Sequence, residues 1–153
     1  MKLEHHVMAS APVAAGVWFF TGNIWYVALS LFLGFLVDVD HVIDYIREER
    51  KFNFKDLFVK SYKGDFEKLY VIFHGWEYIA LAWAGALITG APEFGVVFTV
   101  SYLVHMIPDQ LMNNVKPLGY SILYRWSKGW VMSEFFYTGR KDKCKGSKNE
   151  GRV

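Results

Sequence analysis

From residue 7 to residue 37 the chain runs for thirty-one positions without one charged side chain. A helix bundle in water needs a polar face on most of its helices, so charges recur there every three or four residues. Between Tyr78 and His105 the only charge is Glu93. Two such stretches within 153 residues, the size of one ordinary domain, describe a small integral membrane protein. The hydrophobic share of 53% and aromatic share of 18% agree with that class. Only Lys2 precedes the first stretch, beside Glu4, His5 and His6, a poor basic start for a cleavable signal peptide.

Thr21-Gly22-Asn23 interrupts the first stretch with a strong turn signal, which predicts two helices, over about 6–20 and 24–39. A third helix is expected over 69–89, stopped by Gly90-Ala91-Pro92, and a fourth over 93–112. Fifteen helical residues reach about 22 Å, short of a hydrocarbon core of roughly 30 Å. A thinned bilayer or polar helix ends make up the difference. The basic residues test the split. Of seventeen, seven fall in the 39–70 connection, eight lie from Arg125 onward, and Lys2 and Lys116 flank the first and last helices. Four spans put all of them on one side, which the positive-inside rule makes cytoplasmic. One long span in place of the hairpin would put the N-terminus and the 39–70 connection on opposite faces.

The expected fold class is therefore an all-α membrane protein: four short transmembrane helices in a bundle, plus interfacial amphipathic helices. It would be multi-pass in the cytoplasmic (inner) membrane with both termini in the cytoplasm, and membrane lipids would be its surroundings and partners. Residues 1–138 form the helical domain. Within it 51–68, with Phe52, Phe54, Leu57 and Phe58 among lysines, is an amphipathic connection able to cover a site. Residues 116–136 are expected as an interfacial helix, with Tyr124, Arg125, Trp126, Lys128 and Trp130 at the headgroups. The basic tail, 139–153, is expected to be disordered. The net charge of +2 is absorbed by this topology, and no nucleic-acid partner is predicted. The lone Cys144 excludes an intramolecular disulfide framework and a cysteine metal cluster.

This topology places the ionisable residues of all four helices at one end. His5 and His6 open the first, Asp38, Asp40, His41 and Asp44 close the second, His74 and Glu77 open the third, and His105 and Asp109 close the fourth. All five histidines are in this layer. Asp38 and His41, and His74 and Glu77, are three apart; Asp40 and Asp44, and His105 and Asp109, are four apart, so each pair shares a helix face. Imidazoles and carboxylates converging from several helices suit a divalent metal site, zinc foremost, with manganese or iron as alternatives. More than six candidate ligands allow one or two ions, whose bound water becomes a nucleophile near neutral pH. Bland readings stand beside this one. Asp44 with Glu48, Glu49 and Arg50 reads as a solvated helix face, and Glu77 can simply oppose a helix dipole.

The order "EHHVMAS", "FLVDVDHVID", "FHGWEY", "YLVHMIPDQLMN" resembles the YdjM/YbcI-like family of inner-membrane metal-dependent hydrolases, over residues 5–114. That family has a His opening the first helix, "PDxDH" ending the second, a "HRGxTHS"-type element opening the third and "HxxxD" ending the fourth. The resemblance implies metal ligation by His6, Asp38, Asp40, His41, His105 and Asp109. The third element departs from the pattern: it keeps His74 and Gly75 but reads His-Gly-Trp-Glu, so His74 carries over as a ligand and Glu77 stands in as ligand or base. Val37 replaces the family's proline.

The function expected from these residues is metal-dependent hydrolysis of a phosphodiester or other ester in a membrane-proximal, lipid-like substrate. His6, Asp38, His74, His105 and Asp109 would hold metal; Asp40 would bridge two ions or act as base, with Glu77 as the alternative base. Asn113 and Tyr120 would contact substrate, Tyr120 donating to a developing oxyanion. The rival reading is a non-catalytic membrane protein, binding metal for structure, sensing or transport, or serving as an assembly factor.

Overall fold

The computed structural model describes residues 3–50, 53–63 and 66–137. Among them the chain is all-helical, with two isolated antiparallel bridges and no β-strand. Helix α1 is Leu3–Thr21 and α2 is Ile24–Phe35; a 3-10 turn, Leu36–Asp38, leads into α3, Val39–Glu49. Helix α4 is Phe54–Lys63, α5 is Glu77–Thr89 and α6 is Pro92–Met112. Two short helices follow, α7 at Ile122–Ser127 and α8 at Met132–Phe135. The basic tail, with Phe52 and the side chain of Phe58, lies outside the described residues.

The turn at Gly22-Asn23 forms as the sequence predicts: Asn23 caps α2 by accepting from the Trp25 backbone N–H at 2.9 Å. Gly90 ends α5 in the left-handed conformation that glycine adopts without steric cost, and Pro92 opens α6 at its first position. Helix α6 is the centre of the bundle, packing on α1, α2 and α5, while α1 also packs on α2. Small residues let these helices approach. A Cβ added at Gly34 would lie 2.2 Å from Ser10 Oγ, and Ser101 donates to Ser30 at 2.8 Å across the α2–α6 contact.

Three expected elements differ. The helix predicted to start at residue 69 starts at Glu77, and 66–76 is irregular chain. The helix expected over 24–39 kinks at Phe35 and passes through the 3-10 turn. In place of the single interfacial helix expected over 116–136, the chain turns at Gly119, forms α7, turns again at Gly129 and forms α8. These residues build a second core instead. Met132 and Phe135 pack with Tyr45, Leu57, Phe66, Leu69 and Val71, so α4 and the 66–76 segment close against the C-terminal turns.

By length and composition, one helical stretch among the described residues is apolar enough to cross a membrane alone. It is Ile24–Glu49, 26 residues with a mean hydropathy of 1.7. The others fall short singly for visible reasons. Helix α5 has 13 residues, α1 carries Glu4, two histidines and Pro12, and α6 carries Glu93, His105, Pro108 and Asp109.

Candidate metal centre

Four elements deliver donors to one point. The first turns of α1 bring His6, the 3-10 turn brings Asp38, the 66–76 segment brings His74, and one face of α6 brings His105 and Asp109. His6 Nε2 lies 3.0 Å from Asp109 Oδ1 and 4.0 Å from Asp38 Oδ2. Asp38 Oδ1 is 3.4 Å from His74 Nε2 and 3.5 Å from His105 Nε2; Asp109 Oδ2 is 3.5 Å and 3.7 Å from the same two atoms. Four ligands held about 2.1 Å from a tetrahedral ion stand roughly 3.4 Å from one another. The donor set therefore has the spacing of a coordination sphere.

Tautomers strengthen the match. His105 Nδ1 is 3.0 Å from the Gly34 carbonyl oxygen, which can only accept, so the proton is assigned to Nδ1 and Nε2 keeps its lone pair. His74 Nδ1 donates in the same way to Asp40 Oδ2 at 2.9 Å. The two Nε2 atoms then face each other at 3.0 Å, an arrangement that calls for a shared proton or a cation between them. His6 stacks on His105 with ring centroids 4.1 Å apart. Imidazoles whose outer nitrogen is tied to a carboxylate or carbonyl are the common state of metal-binding histidines.

The donor atoms fall into two groups that share Asp38. His6, Asp38, His105 and Asp109 form one and Asp38, His41 and His74 the other, each with its atoms within 4.8 Å. His6, His74, His105 and Asp109 are at most 2% exposed, whereas Asp38 is 18% and His41 27% exposed. The cluster is thus closed on the α1 and α6 sides and open beside Asp38 and His41.

Burial opposes a charge on His74, yet Asp40, Asp109 and Asp38 outweigh it and hold its pKa well above the ordinary 6.5. Tyr120 lies against the His74 ring, 5.5 Å between centroids, and accepts from Asn113 Nδ2 at 3.2 Å. Burial and the neighbouring Asp109 raise its pKa well above 10, so its hydroxyl stays protonated. Tyr120 sits in the core that includes Tyr102 and Met106, and Asn113, half-buried at the end of α6, reaches it there.

Other sequence-based assignments land elsewhere. Asp40, expected as a bridging ligand or base, stands behind His74: its Oδ2 accepts from His74 Nδ1 and, at 3.0 Å, from the Phe73 N–H. Glu77, expected as a substitute ligand or base, is committed to α7, accepting from Ser121 Oγ and from the Ile122 and Leu123 N–H groups. Those N–H groups are orphan donors of a helix start, and a carboxylate satisfies them well. His5 is exposed on α1, away from the cluster.

Asp44 is not a solvated face. It is buried, and its Oδ2 accepts from the Tyr70 and Val71 N–H groups at 2.8 Å each. Arg125, read from the sequence as a headgroup cation, is fully buried and donates to the carbonyls of Tyr70, Val71 and His74. Tyr102 donates to Phe73 O at 2.7 Å and accepts from the Gly75 N–H at 2.7 Å. Together with Asp40, which accepts from the Phe73 N–H, these three side chains give the 66–76 segment the hydrogen bonds that a helix would have made internally. They also hold Val71 at a φ of +35°, a strained conformation for a β-branched residue. Nothing in the local sequence of Asp44 or Arg125 marks them for this work, because their partners are backbone atoms 26 to 55 positions away.

Comparison with protein families, with curated proteins and with solved structures finds no match for this chain.

Proposed function

We propose that this protein is a metal-dependent hydrolase of the membrane, cleaving a phosphodiester or other ester in a lipid-like substrate. The YdjM/YbcI-like motifs favour that reading. The observation that carries it is the asymmetry of the donor cluster: buried imidazoles and Asp109 on one side, and the only partly buried Asp38 and His41 on the other. A structural metal site is closed by its protein ligands, whereas a catalytic one keeps an open position. His6, His105 and Asp109 would hold one ion from below, with Asp38 at the rim. His41 and His74 would share Asp38 with a second. When bound, a divalent ion supplies a water nucleophile at neutral pH and neutralises charge on the leaving oxygen. The residues around it do the rest. Asp40 and the Gly34 carbonyl fix the two ring orientations, Tyr120 and Met106 exclude water from the buried side, and the 66–76 segment holds His74 in register.

Membrane insertion follows the same logic. The ends of α1, α2 and α5 remote from the donors expose Trp18, Phe19, Phe20, Trp25, Leu87 and Ile88, with Phe20 and Ile88 at 85%. A cap of exposed large apolar side chains on a small chain marks contact with lipid or protein. Four helices in one bilayer, with the basic connections and both termini on the cytoplasmic side, account for that cap and for the distribution of lysine and arginine. Zinc fits the histidine-rich donor set best, with manganese or iron also compatible.

Elemental analysis of the detergent-purified protein beside Asp38→Ala and His105→Ala tests the reading. One or two equivalents of metal, lost in both folded variants, together with metal-dependent cleavage of a phosphodiester lipid, is the expected result. Metal that is retained without any hydrolysis would favour the structural or sensing alternative. No metal after reconstitution would sink both.

A further inference from the structure

The sequence suggests a site at the cytoplasmic mouth of the bundle; the exposed surface suggests a deeper one. Along α2, the 3-10 turn and α3, the outward-facing large side chains are Trp25, Phe32, Leu36, Val39, Ile43 and Ile46, all exposed and all apolar. Their spacing of seven, four, three, four and three keeps one stripe of helical register across the kink at Phe35. From Trp25 to Ile46 the stripe extends about 32 Å at 1.5 Å per residue, close to the roughly 30 Å of a hydrocarbon core. The first exposed charge along it is Arg47, where the stripe ends; of the three carboxylates before it, Asp40 and Asp44 are buried and Asp38 is 18% exposed. Asp38 lies about 20 Å along it, so a further turn or more of apolar surface continues past the donors.

Neighbouring elements repeat this. Helix α6 exposes Ile107, Leu111 and Met112 beyond His105, and the segment bearing His74 exposes Ile72 and Phe73. Ile43, Ile72 and Phe73 line a cavity of about 70 Å³ together with Asp40 and Asp44. Phe73 precedes His74 in the chain, and its N–H shares the Asp40 oxygen that orients His74. The cavity thus leads from the outer face of α3 to the Asp40 carboxylate that orients His74.

We propose that the metal centre lies within the hydrocarbon thickness, below the headgroup plane, and that a membrane lipid reaches it sideways along Ile43, Ile72 and Phe73. This rests on the membrane reading above and deepens it by naming the substrate class: a molecule with an acyl or isoprenoid chain already dissolved in the bilayer. A water-soluble ester would meet an apolar collar before the donors. A lipid moving laterally leaves its chain in hydrocarbon throughout, so its reacting group alone is transferred to the polar cluster.

The test is a depth measurement that needs no metal. In a Cys144→Ser background, nitroxide labels are placed singly at Phe20→Cys, Ile88→Cys, Ile43→Cys and Ile72→Cys, in vesicles of phosphatidylcholine and phosphatidylglycerol. All four positions are exposed, so the labels leave the core packed. Each label's collision rate with oxygen is compared with that of a water-soluble nickel chelate. Oxygen-favoured collisions at all four positions are the expected result. Labels 20 and 88 in hydrocarbon with 43 and 72 in water would overturn the recessed site and leave the membrane fold standing. All four in water would overturn the membrane reading itself. In the same vesicles, a phosphatidylglycerol with a diazirine midway along its acyl chain should label the peptide containing Ile72 and Phe73. Labelling confined to the remote ends of α1 and α5 would overturn lateral entry.

Discussion

His74 and His105 point their Nε2 atoms at each other across 3.0 Å, and each turns its Nδ1 outward to a fixed acceptor, Asp40 Oδ2 and the Gly34 carbonyl. The two rings arrive from an irregular segment and from the central helix, so neither can swing without breaking an outer hydrogen bond. Facing lone pairs repel unless something positive lies between them, and Asp38 and Asp109 complete a negative shell around the same point. A proton or a metal ion would fit between them, and the consequences of each can be measured.

Removing a donor from α6 should abolish binding without unfolding the chain. His105→Ala and Asp109→Ala are each expected to weaken zinc affinity at least about 100-fold by isothermal titration, because each strips an ion of one buried ligand. Tight zinc binding retained by both variants would show that the cluster is only a polar network.

Asp40 should behave as an orienting residue. Asp40→Ala removes the acceptor of His74 Nδ1–H, freeing the ring to adopt the other tautomer. Loss of such an outer partner costs roughly 10–100-fold in metal affinity. Asp40→Asn, which keeps an acceptor oxygen, should lose less. Nitrogen-15 spectra of the imidazoles in the metal-free protein would register the tautomer change directly; an unchanged His74 signal in Asp40→Ala would refute this role.

The sequence carried the polar layer and the helix count of the bundle, but not the architecture that holds His74. His105 and Asp109 share a face by simple four-residue spacing, and Asp38 follows an apolar run, so both were legible from local pattern. The roles of Asp40 and Glu77 were not, because ligand, base, orienting group and helix cap are all carboxylates, and only the partner distinguishes them. Arg125 was misplaced for a related reason. A lysine-and-aromatic neighbourhood resembles a headgroup anchor, and nothing in it records that three carbonyls of the 66–76 segment accept from this side chain. The helix expected from residue 69 fails because those long-range bonds outcompete helix formation there.

Stability of the metal-free protein should depend on pH in a direction set by His74. Its pKa in the folded protein is raised above the ordinary 6.5, so its stabilising charge is fully present below that value and is lost as pH rises through the folded pKa. Thermal unfolding of the metal-stripped protein should therefore occur at lower temperature at about pH 9 than at about pH 6. Metal affinity should run the opposite way and rise with pH, since ligation requires neutral imidazole. Parallel trends in both measurements would rule out His74 as a ligand that exchanges a proton for an ion.

Arg125→Met keeps most of the side-chain volume and deletes the donors to Tyr70, Val71 and His74. Val71 O keeps the His74 N–H, but the Tyr70 and His74 carbonyls lose their donor; at about 1–3 kcal/mol for each, a loss of at least about 2 kcal/mol is expected in detergent unfolding. Proteolysis within 66–76 should accelerate, and metal affinity should fall with it because His74 loses its anchor. A variant as stable as the parent would mean that the segment is held by packing alone.

Glu77→Gln separates the capping role from the ligand or base role expected from the sequence. The amide oxygen of glutamine can still accept, but it presents one acceptor atom where the carboxylate presents two, and it lacks the charge that favours a helix N-terminus. Weaker capping of α7 should lower stability by about 1–2 kcal/mol. Metal content and any hydrolytic rate should stay close to the parent's, because Glu77 spends both oxygens on Ser121, Ile122 and Leu123. A large loss of hydrolysis at unchanged metal content and unchanged unfolding temperature would return Glu77 to the catalytic set and require the cap to open during turnover.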